Sequence, residues 1–305
     1  MKILFIGQAP FGRESLEALI RQGEDLIGVI TTKDVANQKY PNPVKEYAVK
    51  HDIDLYQANY LKKAEPVDWV RKLQPDLLVL GFVTAFVPQE MIDLAKFGGI
   101  NYHPSLLPKY RGGSAINWAI INGETETGVT IHFIDDGVDT GPILLQEKVA
   151  ITPDDTVKSV YFNKLYPLGI EMIAEAVKQI REGRANPITQ DESSASFQPV
   201  ITAADTLIDW TQPTQQVYNL VRGSNPSPGA LTSFSGQQLK IFDAARTPET
   251  GKPGTVLAVG DEGFSVATAD GAVRILSVQP AGSKKLPALE FCKATGLKTG
   301  DPLGS

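Results

Sequence analysis

The first half of the chain alternates short apolar runs with segments whose apolar residues recur every three or four positions. Lys2–Gly7 is a compact apolar run, and after a predicted turn at Pro10–Gly12 the residues Leu16, Leu19 and Ile20 share one helical face. Leu26–Thr31 is again rich in β-branched residues, and this rhythm continues to about residue 134. Such alternation predicts an α/β fold with a Rossmann-like, mostly parallel sheet and helices on both faces.

The pattern changes in the second half. Residues 162–181 predict one amphipathic helix that Gly183 ends, and residues 184–206 show no lasting period and read as a connector. From residue 207 on, short β-branched runs follow one another closely, which favours a small antiparallel barrel. We therefore expect a catalytic domain over 1–183, a linker over 184–206 and a C-terminal β-barrel domain over 207–305.

Two polar motifs stand out against this background. Asn101 and His103 are two positions apart in an apolar run that Pro104 ends, so both side chains leave an extended strand by the same face. The run 135–141, Asp-Asp-Gly-Val-Asp-Thr-Gly, adds the carboxylate of Asp139 on a glycine-flanked loop. Because open α/β sheets carry their chemistry at strand ends, we expect the active centre here.

Transfer of a one-carbon acyl group between nitrogens needs an oxyanion donor and a group that moves a proton. The amide of Asn101 can hydrogen-bond the acyl oxygen, and His103 can do the same or shuttle the proton. Asp139 can fix the protonation state of the imidazole or act through a water as a general base. The alternative is structural: strand-end hydrogen bonds for Asn101 and His103, and a turn cap for Asp139.

The segments N-Y-H-P-S-L-L-P-K-Y-R-G and G-V-T-I-H-F-I-D-D-G-V-D-T-G-P resemble the signature of formyltransferases that use 10-formyltetrahydrofolate. The resemblance covers nearly the whole chain and implies that Asn101, His103 and Asp139 are the catalytic trio. It also implies a barrel of oligonucleotide-binding type after the Rossmann-like domain. The expected formyl donor is 10-formyltetrahydrofolate, and no metal is expected.

The resemblance and the local chemistry suggest further contacts. A loop with two aromatic residues after an apolar strand can grip a pterin ring, and the loop 135–141 lies against folate in the family. The expected folate contacts are Phe82, Phe86, Val87, Leu107, Asp136, Gly137 and Val138. The expected acceptor contacts are Gln8, Phe11, Gly12, Ser105, Lys109 and Arg111. Phe82 and Phe86 could instead be core, and Lys109 and Arg111 solvated surface.

Composition narrows the alternatives. The net charge is −6 over 305 residues, which weighs against obligate nucleic-acid binding. Three scattered histidines and the single Cys292 give little support to a metal site, and no apolar stretch is long enough for a membrane span. The expectation is a cytoplasmic protein, as monomer or homodimer. His132 lies in a predicted strand, where most histidines are structural.

Three branches of the family compete. The overall likeness is greatest to the N-terminal hydrolase domain of 10-formyltetrahydrofolate dehydrogenase, which usually has an aliphatic residue in place of Asn101. Methionyl-tRNA formyltransferases typically carry a long basic insertion where this chain has the short, nearly neutral residues 32–43, so tRNA is disfavoured as a partner. Sugar-nucleotide N-formyltransferases share the shortened loop. Because Asn101 completes the catalytic trio, the resemblance implies formyl transfer from 10-formyltetrahydrofolate to an amine whose identity stays open. The alternatives are a hydrolase that releases formate and tetrahydrofolate, and a folate-binding domain of a larger enzyme.

Overall fold

The computed structural model describes residues 1–37 and 39–304, so Gln38 of the loop at 32–43 lies outside the described residues. The chain forms two compact units that are not continuous in sequence. The first comprises Met1–Arg111, Gly128–Val149 and Asn163–Phe197, and the second comprises Gly112–Thr127, Ala150–Phe162 and the residues from Gln198 on. This division does not decide the domain limits expected at residues 183 and 206, which stay predictions.

Strands and helices alternate through the first half, and strands dominate the second. The strands are β1 Lys2–Gly7, β2 Asp25–Thr31, β3 Leu55–Gln57, β4 Leu77–Gly81, β5 Gly99–His103, β6 Arg111–Gly112, β7 Glu126–Phe133, β8 Ile143–Ala150, β9 Phe197–Gln198, β10 Ala230–Phe234, β11 Gln237–Thr247, β12 Val256–Gly260, β13 Gly263–Ala267, β14 Ala272–Pro280 and β15 Leu286–Pro287. The helices are α1 Ala9–Arg21, α2 Pro43–Lys50, α3 Ala64–Leu73, α4 Gln89–Ile92, α5 Ala115–Ile121, α6 Val157–Val160, α7 Tyr166–Arg181, α8 Thr214–Gly223 and α9 Ala288–Thr295.

The sheet of the N-terminal half has seven strands in the order β3-β2-β1-β4-β5-β7-β8. The first five of these pair in parallel, whereas β7 runs antiparallel to β5. The prediction of a Rossmann-like, mostly parallel sheet is confirmed. The strand that carries Asn101 and His103 lies inside the sheet, between β4 and β7.

The two faces of this sheet pack against different parts of the chain. On one face Leu78 and Leu80 of β4 join a core with Val67 and Val70 of α3. Asn101 pairs with Leu80 and therefore points to this face. On the opposite face the ring of Tyr102 packs 4.5 Å from that of Phe11, measured between ring centroids, and it also lies beside Gly169 of α7. The predicted opposition of Asn101 and Tyr102 is confirmed.

The C-terminal strands form an antiparallel sheet in the order β10-β11-β14-β13-β12, with β15 on β14. Val217 and Val221 of α8 and Phe291 of α9 belong to the apolar core that this sheet shares with the two helices. The predicted antiparallel strands are confirmed. Closure of this sheet into a barrel stays a prediction.

Two details of the sequence interpretation were wrong. Pro10–Gly12 is not a turn but part of the first helical turn of α1, because proline is tolerated where the first N–H groups have no partner within the helix. Residues 162–181 do not form one regular helix: a π-helical segment, Tyr161–Leu165, precedes α7. A π-helical segment widens the turn by one residue. The apolar residues on either side of it still recur every 3.6 positions, so the apolar pattern alone does not reveal the segment.

Candidate active site

Strand β5 presents Asn101 and His103 toward one cluster of polar side chains. Asn101 pairs with His132 of β7, and directly opposed residues of an antiparallel pair have neighbouring side chains. The amide nitrogen of Asn101 lies 3.2 Å from Nε2 of His132. Pro104 follows β5 and cannot donate a ladder hydrogen bond, so the strand ends at His103. The site therefore begins as a triangle of one amide and two imidazoles.

The loop between β7 and β8 brings a carboxylate to this triangle. Oδ1 of Asp135 accepts hydrogen bonds from the Gly137 amide at 3.2 Å and from the Thr140 hydroxyl at 2.6 Å, which closes the loop on itself. A Cβ at Gly141 would lie 1.9 Å from the Phe133 carbonyl oxygen, and one at Gly137 would lie 1.9 Å from Oγ1 of Thr140. The spacing of the motif thus reflects a turn too tight for side chains at either glycine.

Asp139 is the residue on which the three other polar side chains converge. Its Oδ1 lies 3.4 Å from the Asn101 amide nitrogen and 3.5 Å from Nε2 of His132, and its Oδ2 lies 3.4 Å from Nδ1 of His103. Its backbone adopts φ 55°, a left-handed conformation that Asp tolerates better than most residues. The structure thus brings together all three residues predicted as the trio.

Two backbone carbonyls fix the tautomers of the histidines. Nε2 of His103 lies 2.7 Å from the Tyr110 carbonyl oxygen, and Nδ1 of His132 lies 2.8 Å from that of Phe133. Because a carbonyl only accepts, these nitrogens carry the protons. In the neutral form of each ring, Nδ1 of His103 therefore keeps a lone pair on the side of Asp139, and Nε2 of His132 keeps one on the side of Asp139 and Asn101.

Burial sets the charge of His103. The side chain is almost fully enclosed, and this desolvation lowers the pKa of His103 below its ordinary value, while the carboxylate of Asp139 opposes the shift. The ring is therefore neutral near pH 7, with Nδ1 able to take up a proton. Asp139 keeps part of its side chain exposed, 14%, so a substrate can reach the cluster from that side.

A segment that the sequence analysis treated as a connector contributes to the same site. Gln190 is buried and donates hydrogen bonds to the carbonyl oxygens of Asp139 at 2.8 Å and Gly141 at 2.7 Å. Sequence reasoning missed this residue because a glutamine in an aperiodic polar segment gives no signal. The sequence interpretation also gave little weight to His132, because only the pairing of β5 with β7 shows that His132 lies beside Asn101.

The residues predicted to contact folate fall into two groups. Phe82 and Phe86 lie on the loop after β4 with 39% and 50% of their surfaces exposed, and Val138 is also 50% exposed. Asp136 and Gly137 are exposed on the loop that carries Asp139. The side chains of Val87 and Leu107, by contrast, are buried, and they offer little surface to a ligand.

Four of the predicted acceptor contacts are buried, and they stay predictions. Phe11 packs between Tyr102 and Tyr166, and Gly12 is buried in α1. Ser105 is fully enclosed and donates its hydroxyl to the Lys109 carbonyl.

Arg111 is the fourth of these residues. Its guanidinium is buried against Gln190 and Glu192, and the hydrogen bonds to Glu192 raise its pKa. Its donors are thus engaged within the protein. Two of the predicted acceptor contacts keep accessible surface: Gln8, which donates to the Thr84 hydroxyl at 3.2 Å, and Lys109, which is exposed.

Within residues 1–37 and 39–304, no group of three or more His, Cys, Asp or Glu side chains is arranged to hold a metal ion. No helix among the described residues has both the length and the apolar character needed to cross a membrane. Both statements concern the described part of the chain alone.

The sheet presents an amide and two imidazoles beside the carboxylate of a loop, a set of groups suited to stabilising an oxyanion and moving a proton, and comparison with known proteins assigns the family. Residues 1–177 match the formyl transferase family, and residues 200–296 match the formyl transferase C-terminal domain. The chain belongs to the formyl transferase family.

Its relatives include the methionyl-tRNA formyltransferase of Geobacter sulfurreducens, 40% identical over 100% of this chain and 97% of the relative. That of Acetivibrio thermocellus is 37% identical over the whole of both chains. These relatives carry the name of the branch that charge and the short loop disfavoured.

Solved structures agree on the fold. HypX from Aquifex aeolicus in complex with tetrahydrofolic acid is 25% identical, with a TM-score of 0.67 over 98% of this chain and 48% of the HypX chain. The chain thus spans about half of HypX. The N-formyltransferase from Helicobacter canadensis, solved with folinic acid and dTDP-3-aminofucose, has a TM-score of 0.70 at 22% identity over 94% of this chain and 100% of that one, which is a likeness of fold.

Proposed function

We propose that this protein transfers a formyl group from 10-formyltetrahydrofolate to the amino group of methionyl-tRNA. Full-length relatives of that name, 36 to 40% identical, support the acceptor. The likeness to a tetrahydrofolate-bound HypX supports the donor. The observation that carries the reaction type is the convergence of Asn101, His103 and Asp139 within 3.4 Å contacts. We also propose that the protein is cytoplasmic.

Each member of the trio has a role that its surroundings support. The amine nitrogen attacks the formyl carbon, and the carbonyl electrons move to its oxygen. The Asn101 amide, whose contact with Asp139 is a loose 3.4 Å, then donates a hydrogen bond to that oxygen. The proton that the amine loses passes to the pair of His103 Nδ1 and Asp139, because the neutral ring keeps that lone pair. The carbon–nitrogen bond to folate then breaks as its nitrogen takes a proton, which gives tetrahydrofolate and the formylated amine.

Folate would bind against exposed apolar side chains on the loop after β4 and on the loop that carries Asp139. Phe82, Phe86 and Val138 expose between a third and a half of their surfaces, which is unusual for side chains that are ordinarily buried. The ammonium of Lys62 lies 4.3 Å from the ring centroid of Phe86, and a cation there suits a donor with carboxylates. These side chains are our candidates for the apolar wall of the pterin site.

The experiment is a direct comparison of acceptors at fixed 10-formyltetrahydrofolate. Methionyl-tRNA, uncharged tRNA, an amino-sugar nucleotide and buffer alone are each added, and the release of tetrahydrofolate and formate is measured. We expect release that depends on methionyl-tRNA and formylation of its amino group. Release at the same rate in buffer alone, with formate as product, would identify a hydrolase. Turnover with the amino sugar alone would keep the reaction and change the acceptor.

A further inference from the structure

Gln190 is a buried glutamine whose hydrogen-bonding capacity is fully used. Its amide nitrogen donates to the carbonyl oxygens of Asp139 and Gly141 at 2.8 and 2.7 Å. Its carbonyl oxygen accepts from Nε and NH2 of Arg111 at 3.1 and 2.8 Å. Two donors and two acceptor positions are all that a glutamine offers, so the side chain is held in one orientation.

The orientation of this amide is set by the chemistry of its partners. Backbone carbonyls only accept hydrogen bonds, so the nitrogen must face Asp139 and Gly141. A guanidinium only donates, so the oxygen must face Arg111. Arg111 is itself held by two hydrogen bonds to Glu192, at 2.9 and 2.7 Å. The reversed amide would lose all four hydrogen bonds.

The two carbonyl oxygens that accept hydrogen bonds from Gln190 belong to Asp139 and Gly141, in the turn that directs the Asp139 carboxylate toward the cluster. Asp139 has φ 55°, a conformation that costs free energy and persists only where neighbouring groups enforce it. The contacts from its carboxylate to Asn101, His103 and His132 are 3.4 to 3.5 Å long, too long to enforce that geometry. Gln190 makes short contacts to the backbone on both sides of Thr140, beside the hydrogen bond from the Thr140 hydroxyl to Asp135 that closes the loop.

We propose that Gln190 is a positioning residue for the reaction, which holds the Asp139 loop in its productive geometry, and that Arg111 orients Gln190 for this task. The proposal rests on the function proposed above, in which Asp139 takes part in proton transfer. It assigns Arg111 a role inside the protein instead of a contact with substrate. It also makes residues 190–192 part of the active-site architecture.

The variant Gln190→Leu removes the hydrogen bonds at nearly constant volume. Because a displacement near 1 Å can cost about a hundredfold in rate, we expect kcat to fall about 10- to 100-fold. The KM for 10-formyltetrahydrofolate should change less than kcat, since Phe82 and Phe86 of the proposed pterin wall lie on the separate loop after β4. Gln179→Leu, a partly buried glutamine on α7 that bonds Glu175, is the matched control and should keep the wild-type kcat.

A second readout does not depend on turnover. The Asp139 carboxylate raises the pKa of His103 against the effect of burial, and His132 is the other titratable group that acts on this ring. If Gln190→Leu lets the carboxylate move away, His103 should titrate at lower pH than in the wild type, as followed by NMR of its ring. Asp139→Asn should lower the value too, and adding Gln190→Leu to it should bring no further change.

The outcomes separate this proposal from the proposed function. An inactive Asp139→Asn protein together with a Gln190→Leu protein of wild-type kcat and unchanged His103 titration would overturn the positioning role alone. A fully active Asp139→Asn protein would overturn the proposed role of Asp139. If Gln190→Leu does not fold, Gln190→Met is measured in the same way. An additive effect of Gln190→Leu on His103 in the Asp139→Asn background would also overturn the proposal, because Gln190 would then act on His103 by another route.

Discussion

The side chain and the backbone of Asp139 lie in two different kinds of environment. The carboxylate has three neighbours at 3.4 to 3.5 Å, namely Asn101, His103 and His132. The backbone of the same loop has contacts of 2.7 and 2.8 Å from Gln190. Ordinary hydrogen bonds fall near 2.9 Å, so the first set is loose and the second is tight.

The difference follows from what each set must do. Groups that exchange protons with a substrate need contacts that can shorten or change partner, and catalytic hydrogen bonds are often long before substrate arrives. Groups that fix geometry need saturated bonds without spare capacity. In the proposed reaction, the Asp139 carboxylate with Asn101, His103 and His132 forms the reactive side of the site, and Gln190 and Arg111 form its proposed support.

The largest effect should come from Asp139→Asn. The change removes the carboxylate charge at constant shape, and Asn tolerates φ 55° as well as Asp does, so the loop should keep its conformation. Because a positioned general base contributes about 10²- to 10⁴-fold, we expect turnover to fall by that factor. Folate affinity, measured by titration, should change by less than about twofold. Unchanged turnover would show that the Asp139 carboxylate takes no part in the reaction.

The next effect should come from Asn101→Ile, which places an aliphatic residue where the amide now lies. Loss of one oxyanion donor costs about a hundredfold in rate, and we expect that reduction in kcat for formyl transfer. Asn186→Ile, at an exposed position outside the cluster, is the control and should retain the wild-type kcat. Full transfer activity in Asn101→Ile would refute the oxyanion role.

The sequence predicts that Asn101, His103 and Asp139 lie together, but it predicts neither the place of His132 nor the contacts from Gln190 and Arg111. Asn101 and His103 are linked by strand alternation, which a pattern of two residues reveals, and Asp139 lies in a loop motif whose glycines mark a tight turn. Gln190 is about fifty residues further along, in a segment without periodicity, and only the folded chain shows what it contacts. The sequence likewise gave no sign that the guanidinium of Arg111 is buried against Gln190 and Glu192, since both partners are in that segment.

The fold, too, has features that the local sequence predicts and features that it does not. Local sequence predicted β1 and β2 as short apolar runs and the antiparallel strands near the C-terminus as closely spaced β-branched runs, because each signal lies within a few residues. The antiparallel register that sets His132 opposite Asn101 depends on a long-range pairing and could not be read from the pattern. The first turn of α1 was misread because Pro10 suits both a turn and a helix start.

The pH dependence tests whether His103 works as a neutral ring. Burial lowers the pKa of His103 below its ordinary value of 6.5, so the kcat/KM for transfer should fall with decreasing pH at a midpoint below that of a free imidazole, as Nδ1 takes up a proton. Below 6.5 the unfolded chain binds a proton that the folded ring resists, so the free energy of unfolding also decreases with falling pH. Melting temperatures at each pH identify the range in which rates report on the site. A rate that rises as pH falls would mean that the cationic ring is the active form.

The smallest effect should come from Phe86→Ala, which tests the proposed folate wall apart from the proton-transfer groups. Phe86 is half exposed and lies beneath the Lys62 ammonium, so its loss should remove about 1 kcal/mol of aromatic contact, or about a fivefold weaker Kd for folate. The kcat at saturating folate should change little. Phe97 is a matched control: it is 38% exposed and has the Lys96 ammonium 4.8 Å from its ring centroid, but it precedes β5 at the opposite end of the strand from His103. Phe97→Ala should bind folate as the wild type does, and equal weakening in both variants would remove Phe86 from the folate site.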